Sequence, residues 1–328
     1  MKSHDFDRYR IAVLVPCYNE AVAIAKVVKD FKAALPGATI YVFDNNSTDN
    51  TAAAAGAAGA VVFHEKRQGK GFVVRRMFSD VEADIYVLVD GDATYDAPSA
   101  TAMIERLLKD RLDMVVATRV ENDTAAYRAG HRTGNWLLTK SVATVFGPTF
   151  NDMLSGYRVF SRRFVKSFPV LSGGFEIETE LTIHALELGM AAAEIDTPYY
   201  ARPQGSASKL NTWRDGVRIL WTILQLYRAE RPLALFTGIA MALAIVAIGF
   251  AIPLFVTYME TGLVPRFPTA ILSTGLMMLA SLSFAVGLVL DTVTRGRRET
   301  KLLAYLALRA PGAERRESGG KQDAAKGE

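Results

Sequence analysis

The sequence predicts an α/β fold built on a parallel sheet, followed by two long apolar helices. Short runs of β-type residues alternate with helical stretches, the pattern of βαβ units whose sheet is covered on both faces. The runs end in acids, amides or arginine. Near the C-terminus, residues 233–258 and 269–290 are apolar and carry no charge. At 1.5 Å per residue each is long enough for the roughly 30 Å hydrocarbon core of a bilayer.

Residues 11–15 read as the first strand, leading into Pro16-Cys17-Tyr18-Asn19-Glu20. A helix then runs to about Leu35, where Pro36-Gly37 stops it. Residues 39–43 form a second strand ending in Asp44-Asn45-Asn46-Ser47-Thr48-Asp49. The alanine-rich run 51–60 is a strong helix by propensity, with Ser47, Asp49 or Asn50 as its cap. A third short strand covers 61–63, and helices over 71–80 and 99–109 precede strands at 85–89 and 114–117. Beyond Arg119 the pattern loosens. Residues 122–132 read as a polar loop, 134–146 and 175–188 as helices, and 193–196 as a late strand. Glu176, Glu178 and Glu180 crowd the first turns of the 175–188 helix, where the macrodipole favours acids. Residues 202–210 form a basic loop rich in glycine and serine.

The chemistry gathers on Tyr86-Val87-Leu88-Val89-Asp90-Gly91-Asp92. On an extended backbone, residues two apart point to the same side, so Asp90 and Asp92 converge just beyond the strand. Gly91 between them leaves room for close approach to the backbone. Two carboxylates without imidazole or thiolate suit a hard cation that fills its remaining positions with water and phosphate oxygens. Ligands of open α/β sheets bind outside the carboxyl ends of the strands, which is where Asp44, Asp90, Asp92 and Arg119 would gather.

Other classes find little support. The net charge of +4 across 328 residues is too small to argue for nucleic acid, and no dense basic stripe with interleaved aromatics occurs. One cysteine, Cys17, excludes an intrachain disulfide. His4, His64, His131 and His184 lack zinc-type spacing. No Gly-x-Gly-x-x-Gly follows the first strand, which argues against a dinucleotide-dependent dehydrogenase. Gln68-Gly69-Lys70-Gly71 lacks the upstream glycine and following hydroxyl of a P-loop, although Lys70 remains able to reach a donor.

Charge sets the expected topology. Arg228 and Arg231 precede the first apolar stretch, and Arg295, Arg297, Arg298 and Lys301 follow the second. The short connection carries only Glu260 and Arg266. The positive-inside bias places both outer ends in the cytosol, with the hairpin tip facing away. Residues 1–10 are polar and lack the apolar core of a signal peptide, so the first part of the chain is expected to stay cytosolic. Within 213–231, Val217, Leu220, Trp221, Leu224 and Tyr227 recur at helical spacing among arginines. That pattern suits a helix on the membrane surface, and equally one packed on the soluble domain. The expected division is a catalytic domain over 1–212, a juxtamembrane helix over 213–232, spans at 233–258 and 269–290, a basic interfacial segment over 291–310 and a disordered tail over 311–328.

Taken together, these residues resemble the family 2 glycosyltransferases, and within them the polyprenyl-phosphate glycosyltransferases of the dolichol-phosphate mannose synthase type. Pro16-x-Tyr18-Asn19-Glu20 matches the first nucleotide-contacting loop, Asp44 to Asp49 the acidic loop, and Asp90-Gly91-Asp92 the metal-binding Asp-x-Asp. Thr118-Arg119 matches the arginine after the fifth strand, and Arg132 stands where a second acceptor-phosphate arginine is expected. Asp152-Met153-Leu154-Ser155-Gly156-Tyr157-Arg158 and the segment from Arg202 to Lys209 match two later signatures. The resemblance covers roughly residues 10–232 and implies a GT-A fold, a Rossmann-like mixed sheet. It implies metal-dependent, inverting transfer of a sugar from a nucleoside diphosphate to a polyprenyl phosphate at the cytosolic face of the inner membrane.

The same resemblance assigns residues. Pro16, Tyr18, Glu20, Asp44, Asn46, Lys70, Asp90 and Gly91 face the donor nucleotide, and Asp90 and Asp92 hold Mg2+ or Mn2+. Arg119, Arg132, Arg202 and Lys209 seat the acceptor phosphate, and Asp92, Asp152 and Arg119 serve catalysis. Asp152 reads either as a base or as a partner for Arg158 or another cation, and an acid is expected near the site in the 175–188 helix. The chain departs at Asn45, where aspartate is usual, which leaves uridine and guanosine both open, and at Asn46, where glycine is usual. Two other readings fit: direct transfer to a glycan or another lipid, and a non-catalytic sensor of nucleotide sugars. The sugar and the oligomeric state are not legible.

Overall fold

The sheet is mixed, and one antiparallel strand makes it so. In the computed structural model, which describes residues 6–121, 150–171, 173–174, 176–203, 225, 228 and 231–311, the strand order is β3-β2-β1-β4-β6-β5-β7. The strands are β1 (Ile11–Cys17), β2 (Thr39–Asp44), β3 (Val61–His64), β4 (Ile85–Leu88), β5 (Met114–Glu121), β6 (Arg158–Ser161) and β7 (Ala192–Tyr199). β6 runs antiparallel between β4 and β5, while β5 pairs with β7 in parallel. Alternation alone predicts an all-parallel sheet and offers no strand at 158–161. At four residues, with an arginine in it, β6 has too short a pattern to announce itself.

Helices cover both faces. On one lie α1 (Ile24–Ala34), α2 (Thr51–Ala57) and α4 (Ser99–Lys109), closing over Val13, Val15, Val42, Val87 and Val115 with Phe31, Ile104 and Leu107. On the other lie α3 (Lys70–Asp80), α5 (Arg162–Ser167) and α6 (Ile177–Glu187). Here Phe78, Phe160, Phe164 and Phe168 form a chain of ring contacts that ends on His184. Full burial of such a side chain stabilises the fold by about 1.5–3 kcal/mol each. α2 stops earlier than its propensity suggests, because Gly59 turns the chain at φ 90°. Asn50 stands at its N-cap position without a side-chain bond, and Asp49 accepts from the Thr51 amide at 3.0 Å instead.

Contacts divide the chain into two compact units, Met1–Val217 with Lys301–Glu328, and Arg218–Thr300. In the second, α7 (Pro232–Thr261) and the first part of α8 (Phe267–Leu306) are each long and apolar enough to cross a bilayer. Ala240 and Ala247 on α7, and Ser273, Ala280 and Gly287 on α8, are its buried small residues. Each series repeats every seven residues, a spacing that lets two helices approach closely. Ser273 Oγ donates to the Ala247 carbonyl at 2.8 Å. A β-carbon added at Gly287 would lie 2.9 Å from Phe236 Cβ. Ile245, Phe255, Met278 and Leu282 remain exposed, so the outer faces of the hairpin are apolar.

Within the basic segment expected at the interface, 291–310, the chain continues α8 as helix to Leu306. Its last turns belong to the first unit, where Lys301 Nζ bonds Glu187 at 2.6 Å and Tyr305 Oη donates to Asp113 at 2.9 Å. Asp113 is fully buried and also accepts from Ser161 Oγ and Arg163. The loop at 122–132, the helix at 134–146, most of the amphipathic 213–231 stretch, and the tail from 312 lie outside the described residues.

His184 gives this packing a pH signature. Burial, and then the Lys301 ammonium, push its pKa down to about 3. The unfolded chain takes up a proton near pH 6.5 that the folded chain refuses. The contribution of this group to stability is therefore full above pH 6.5 and declines as pH falls towards 3, by about 1.4 kcal/mol per unit. A His184→Gln variant should show a shallower loss of thermal unfolding midpoint between pH 6.5 and 4 than wild type.

Candidate active site

Loops from many strands meet at one edge of the sheet. The carboxyl ends of β1, β2, β4, β5 and β7 deliver Pro16–Glu20, Asp44–Asp49, Asp90–Asp92, Arg119 and Arg202. Because β6 runs the other way, the residues before it also arrive at this edge. An antiparallel insert thus places Asp152–Gly156 between the ends of β4 and β5.

The first two loops are stitched together. Asn19, in the left-handed region at φ 53°, accepts from the Thr48 amide at 2.8 Å, and its own amide donates to Ser47 Oγ at 2.9 Å. The Glu20 amide donates to Thr51 Oγ1 at 2.8 Å. Pro16, Tyr18 and Glu20 are half-buried beside this seam. Asn46 takes φ 64°, a conformation asparagine tolerates better than most residues and glycine best, so its departure from the family pattern costs little. Asn45 has a different task from base recognition. Its amide nitrogen donates to the carbonyls of Glu65 and Arg67 at 3.1 and 2.7 Å, and its oxygen accepts from the Gly69 amide at 2.7 Å. It pins the loop that precedes Lys70. Asp44 is buried, with Oδ2 taken by the Ser47 amide and His64, while Oδ1 has no hydrogen-bond partner among the described residues.

Asp90 and Asp92 each have a cation. Lys70 Nζ lies 2.5 Å from Asp90 Oδ1 and also bonds Glu178, and the Lys70 side chain is only 10% exposed. Burial by itself would lower the lysine pKa, but Asp90 and Glu178 outweigh it and raise it well above the ordinary value. Arg202 Nη2 lies 2.7 Å from Asp92 Oδ2, and Thr94 Oγ1 donates to Asp92 Oδ1 at 2.6 Å. Asp92 is 4% exposed; burial and then the neighbouring Asp90 raise its pKa, and Arg202 opposes the rise. Arg202 reaches it because the strap after β7 is tied down, with the Tyr200 amide donating to the Thr94 carbonyl at 2.9 Å. Ala93 holds φ 58° between the metal-type acid and Thr94, a left-handed alanine that costs on the order of 1–2 kcal/mol. Gly91 accommodates protein rather than ligand: a β-carbon there would lie 2.5 Å from Cys17 Sγ. Burial, then Glu20 and the aspartates, raises the Cys17 pKa and keeps the thiol protonated.

Asp152 pairs with Arg119, not with Arg158. Arg119 Nε and Nη2 meet the two carboxylate oxygens at 2.6 and 2.8 Å, and the guanidinium sits over the Tyr199 ring at 5.6 Å. Glu194 accepts from the amides of Asn151 and Asp152 at 2.8 and 3.0 Å, fixing the loop from behind. Arg158 is fully buried and donates to the carbonyls of Ser155 and Met153 at 3.0 and 2.6 Å and to Thr182 Oγ1 at 2.8 Å. Burial lowers its pKa to about 10, with Glu178 and then Asp152 opposing.

Every expected site residue that the structure describes therefore reaches this edge; Arg132 and Lys209 lie outside the described residues. Glu178 is the acid of the 175–188 helix that reaches the site, where the sequence by itself reads it as a helix-start residue. Its signal was present: it shares a helical face with Leu181, Thr182 and Ala185, a stripe that is buried. Among the described residues no three acids, histidines or cysteines form a ready-made metal cage. The acids placed to hold a metal are Asp92, which is buried, and Asp90, whose side chain is 30% exposed; two adjacent carboxylates fit a hard divalent cation that completes its shell with water and phosphate. Gly156 lies so close that a β-carbon on it would fall on the Asp90 carboxylate. Gly156→Ala should consequently displace Asp90 and cut turnover by about a hundredfold, with the unfolding midpoint much less affected; a kinetic assay beside a thermal melt would show this.

Comparison with known proteins follows the same lines. The description "Glycosyl transferase family 2" matches residues 12–168. The chain is 34% identical over 250 residues to glycosyltransferase AglJ of Haloferax volcanii, covering 76% of this chain and 81% of that one. It is 26% identical over 231 residues to a dolichyl-phosphate hexose transferase of the same organism, covering 70% of this chain and 99% of that one. Glucosyl-3-phosphoglycerate synthase from Mycobacterium tuberculosis, crystallised with Mn2+, uridine diphosphate and glucosyl-3-phosphoglycerate, superimposes with a TM-score of 0.55 at 23% identity. That match covers 68% of this chain and 84% of that one, and it shows the shared GT-A-like fold. By its matched sequence and its sheet, the chain belongs to glycosyl transferase family 2 and is a nucleotide-sugar glycosyltransferase.

Proposed function

We propose that this glycosyltransferase moves a sugar from a nucleoside diphosphate onto the phosphate of a membrane polyprenol, at the cytosolic face of the inner membrane. The observation that carries the reading is the meeting of an Asp90–Asp92 pair with Arg119 and Arg202 at one sheet edge, in a chain with two bilayer-length helices. The paired acids suit a metal–diphosphate, and the guanidiniums suit phosphate through bidentate bonds. The named dolichyl-phosphate relative, aligned over 99% of its length, supports the lipid acceptor. The arginines flanking the apolar helices support a hairpin with both ends in the cytosol.

Each group then has a role. Asp90 and Asp92 hold Mg2+ or Mn2+, which when bound supplies positive charge against the departing diphosphate. Lys70 serves the diphosphate. Arg202, held at Asp92, serves it too, a change from the acceptor role the resemblance assigns. The unpartnered Asp44 Oδ1 accepts an N–H from the nucleobase, which uracil and guanine both offer. Arg119 seats the acceptor phosphate, with Arg132 and Lys209 as its expected companions. The acceptor oxygen is already an anion, because the second pKa of a phosphate monoester is about 6. Asp152 is accordingly an orienting carboxylate for Arg119, since both its oxygens are engaged there. The acceptor oxygen bonds the anomeric carbon as the bond to the diphosphate breaks, and the electron pair leaves with the nucleotide. One such displacement inverts the anomeric centre.

Incubating the purified full chain with a polyprenyl phosphate, Mg2+ or Mn2+ and a panel of nucleotide sugars should give a glycolipid whose mass names the sugar. Release of nucleotide with a soluble glycan as acceptor and none with the lipid would overturn the reading in favour of direct transfer. Asp92→Asn should lower kcat by about a thousandfold or more in that assay. Arg119→Lys should lower kcat/KM for the lipid acceptor by about a hundredfold, with the KM of the donor little changed.

A further inference from the structure

We infer that Lys70 and Arg202 are resident counter-ions of the metal-binding acids, and that they couple metal binding to donor binding by being handed from carboxylate to diphosphate. This rests on the metal–donor reading above and extends it to the order in which the charges are exchanged. Both acids are already answered by protein: Asp90 by Lys70 at 2.5 Å and Asp92 by Arg202 at 2.7 Å. A divalent cation arriving alone competes with both ion pairs. Its gain is reduced by their loss, because an ammonium or guanidinium left unpaired at a partly buried site carries its own desolvation penalty. A metal arriving with a nucleoside diphosphate meets a different balance, since the phosphate oxygens offer both displaced cations a new partner.

Glu178 decides where Lys70 goes. Its carboxylate is 8% exposed and bonds the same ammonium from a different element, the first turn of α6. When Asp90 turns to the metal, Glu178 retains the lysine beside the diphosphate and keeps it charged. Without Glu178, Asp90 would be the sole partner of a buried ammonium, and the metal would have to take that partner outright. Glu178 is thus a positioning residue that acts through Lys70. Arg202 has no such second anchor among the described residues, and its side chain is 33% exposed, so solvent receives it during the exchange.

Electron paramagnetic resonance titration of Mn2+ into the full chain tests this, with and without uridine diphosphate or guanosine diphosphate. In wild type, Mn2+ alone should bind weakly, and the fitting nucleotide should tighten it by roughly a hundredfold. Lys70→Met should bind Mn2+ alone about tenfold more tightly and lose about tenfold of the nucleotide-dependent gain. A mere through-space charge effect would shift each affinity and leave that gain unchanged. Glu178→Gln should bind Mn2+ alone more weakly than wild type, whereas a purely structural glutamate would loosen Lys70 and tighten the metal. Should Lys70→Met fail to fold, Arg202→Met, at a more exposed position, must show the same pair of changes. Mn2+ affinity in these lysine or arginine variants no tighter than in wild type, or an unchanged nucleotide gain, overturns the handover. Absence of any Mn2+ binding that Asp92→Asn removes, in every variant, overturns the metal reading itself.

Discussion

Bringing several carboxylates to one partly buried edge of a sheet is the constraint from which the rest of this molecule follows. Asp90, Asp92, Asp152 and Glu178 all lie there, and Asp92, Asp152 and Glu178 are buried. Like charges at such short range raise one another's pKa unless cations are supplied. The fold supplies them from segments far apart in sequence: Lys70 from the start of α3, Arg119 from β5, and Arg202 from the strap beyond β7. Each ion pair therefore closes a long loop of chain as well as balancing charge. The site and the tertiary structure are the same set of bonds.

The antiparallel strand is what makes this balance possible. A parallel strand in the position of β6 would send the residues before it to the opposite edge, and Asp152 would never meet Arg119. Arg158 then fixes the inserted loop from below, with its guanidinium on the carbonyls of Met153 and Ser155 and on Thr182. A buried arginine bonded mainly to carbonyls is costly to desolvate, and removing such a group leaves several acceptors unsatisfied. Its place is understandable because Gly156, in the same loop, has no room for a β-carbon beside Asp90. The loop must be held to a narrow tolerance, and multiple donors on one rigid fork do that better than apolar contacts.

What the sequence makes legible, and what it does not, divides along physical lines. The strands β1 to β5 announce themselves as runs of β-type apolar residues alternating with helical stretches, and the apolar helices as runs too long for another fate. The convergence of Asp44, Asp90, Asp92 and Arg119 follows from the rule about strand ends, and the loops stand where that rule puts them. β6 was hidden because its strand state comes from the slot between β4 and β5, not from its own four residues. Partners were hidden for a related reason. Nothing in the spacing says that Asp152 takes Arg119 over Arg158, or that Asn45 faces the Gly69 turn and not a base. The resemblance expects an acid of the 175–188 helix at the site, and the buried stripe with Leu181, Thr182 and Ala185 is what singles out Glu178. The continuation of α8 beyond residue 290 is masked by its arginines, which read as the end of an apolar span, and nothing in the spacing pairs Lys301 with Glu187 or Tyr305 with Asp113.

The hairpin acquires its meaning from the proposed acceptor. Its two helices meet along small residues spaced by seven, and this close seam leaves large apolar side chains such as Phe255 and Met278 pointing outward. A soluble protein gains nothing by exposing so continuous an apolar surface, which in water would drive association. In a bilayer the same surface is solvated. A polyprenyl phosphate keeps its hydrocarbon in that solvent and only its head group in water, so a catalytic unit free in the cytosol would meet it rarely. Tethering the unit to the same bilayer would turn the proposed encounter into a search in two dimensions, while a soluble donor would diffuse in unaided. On the proposed function, the apolar pair would answer where such an acceptor lives, as the acids and arginines would answer what its head group carries.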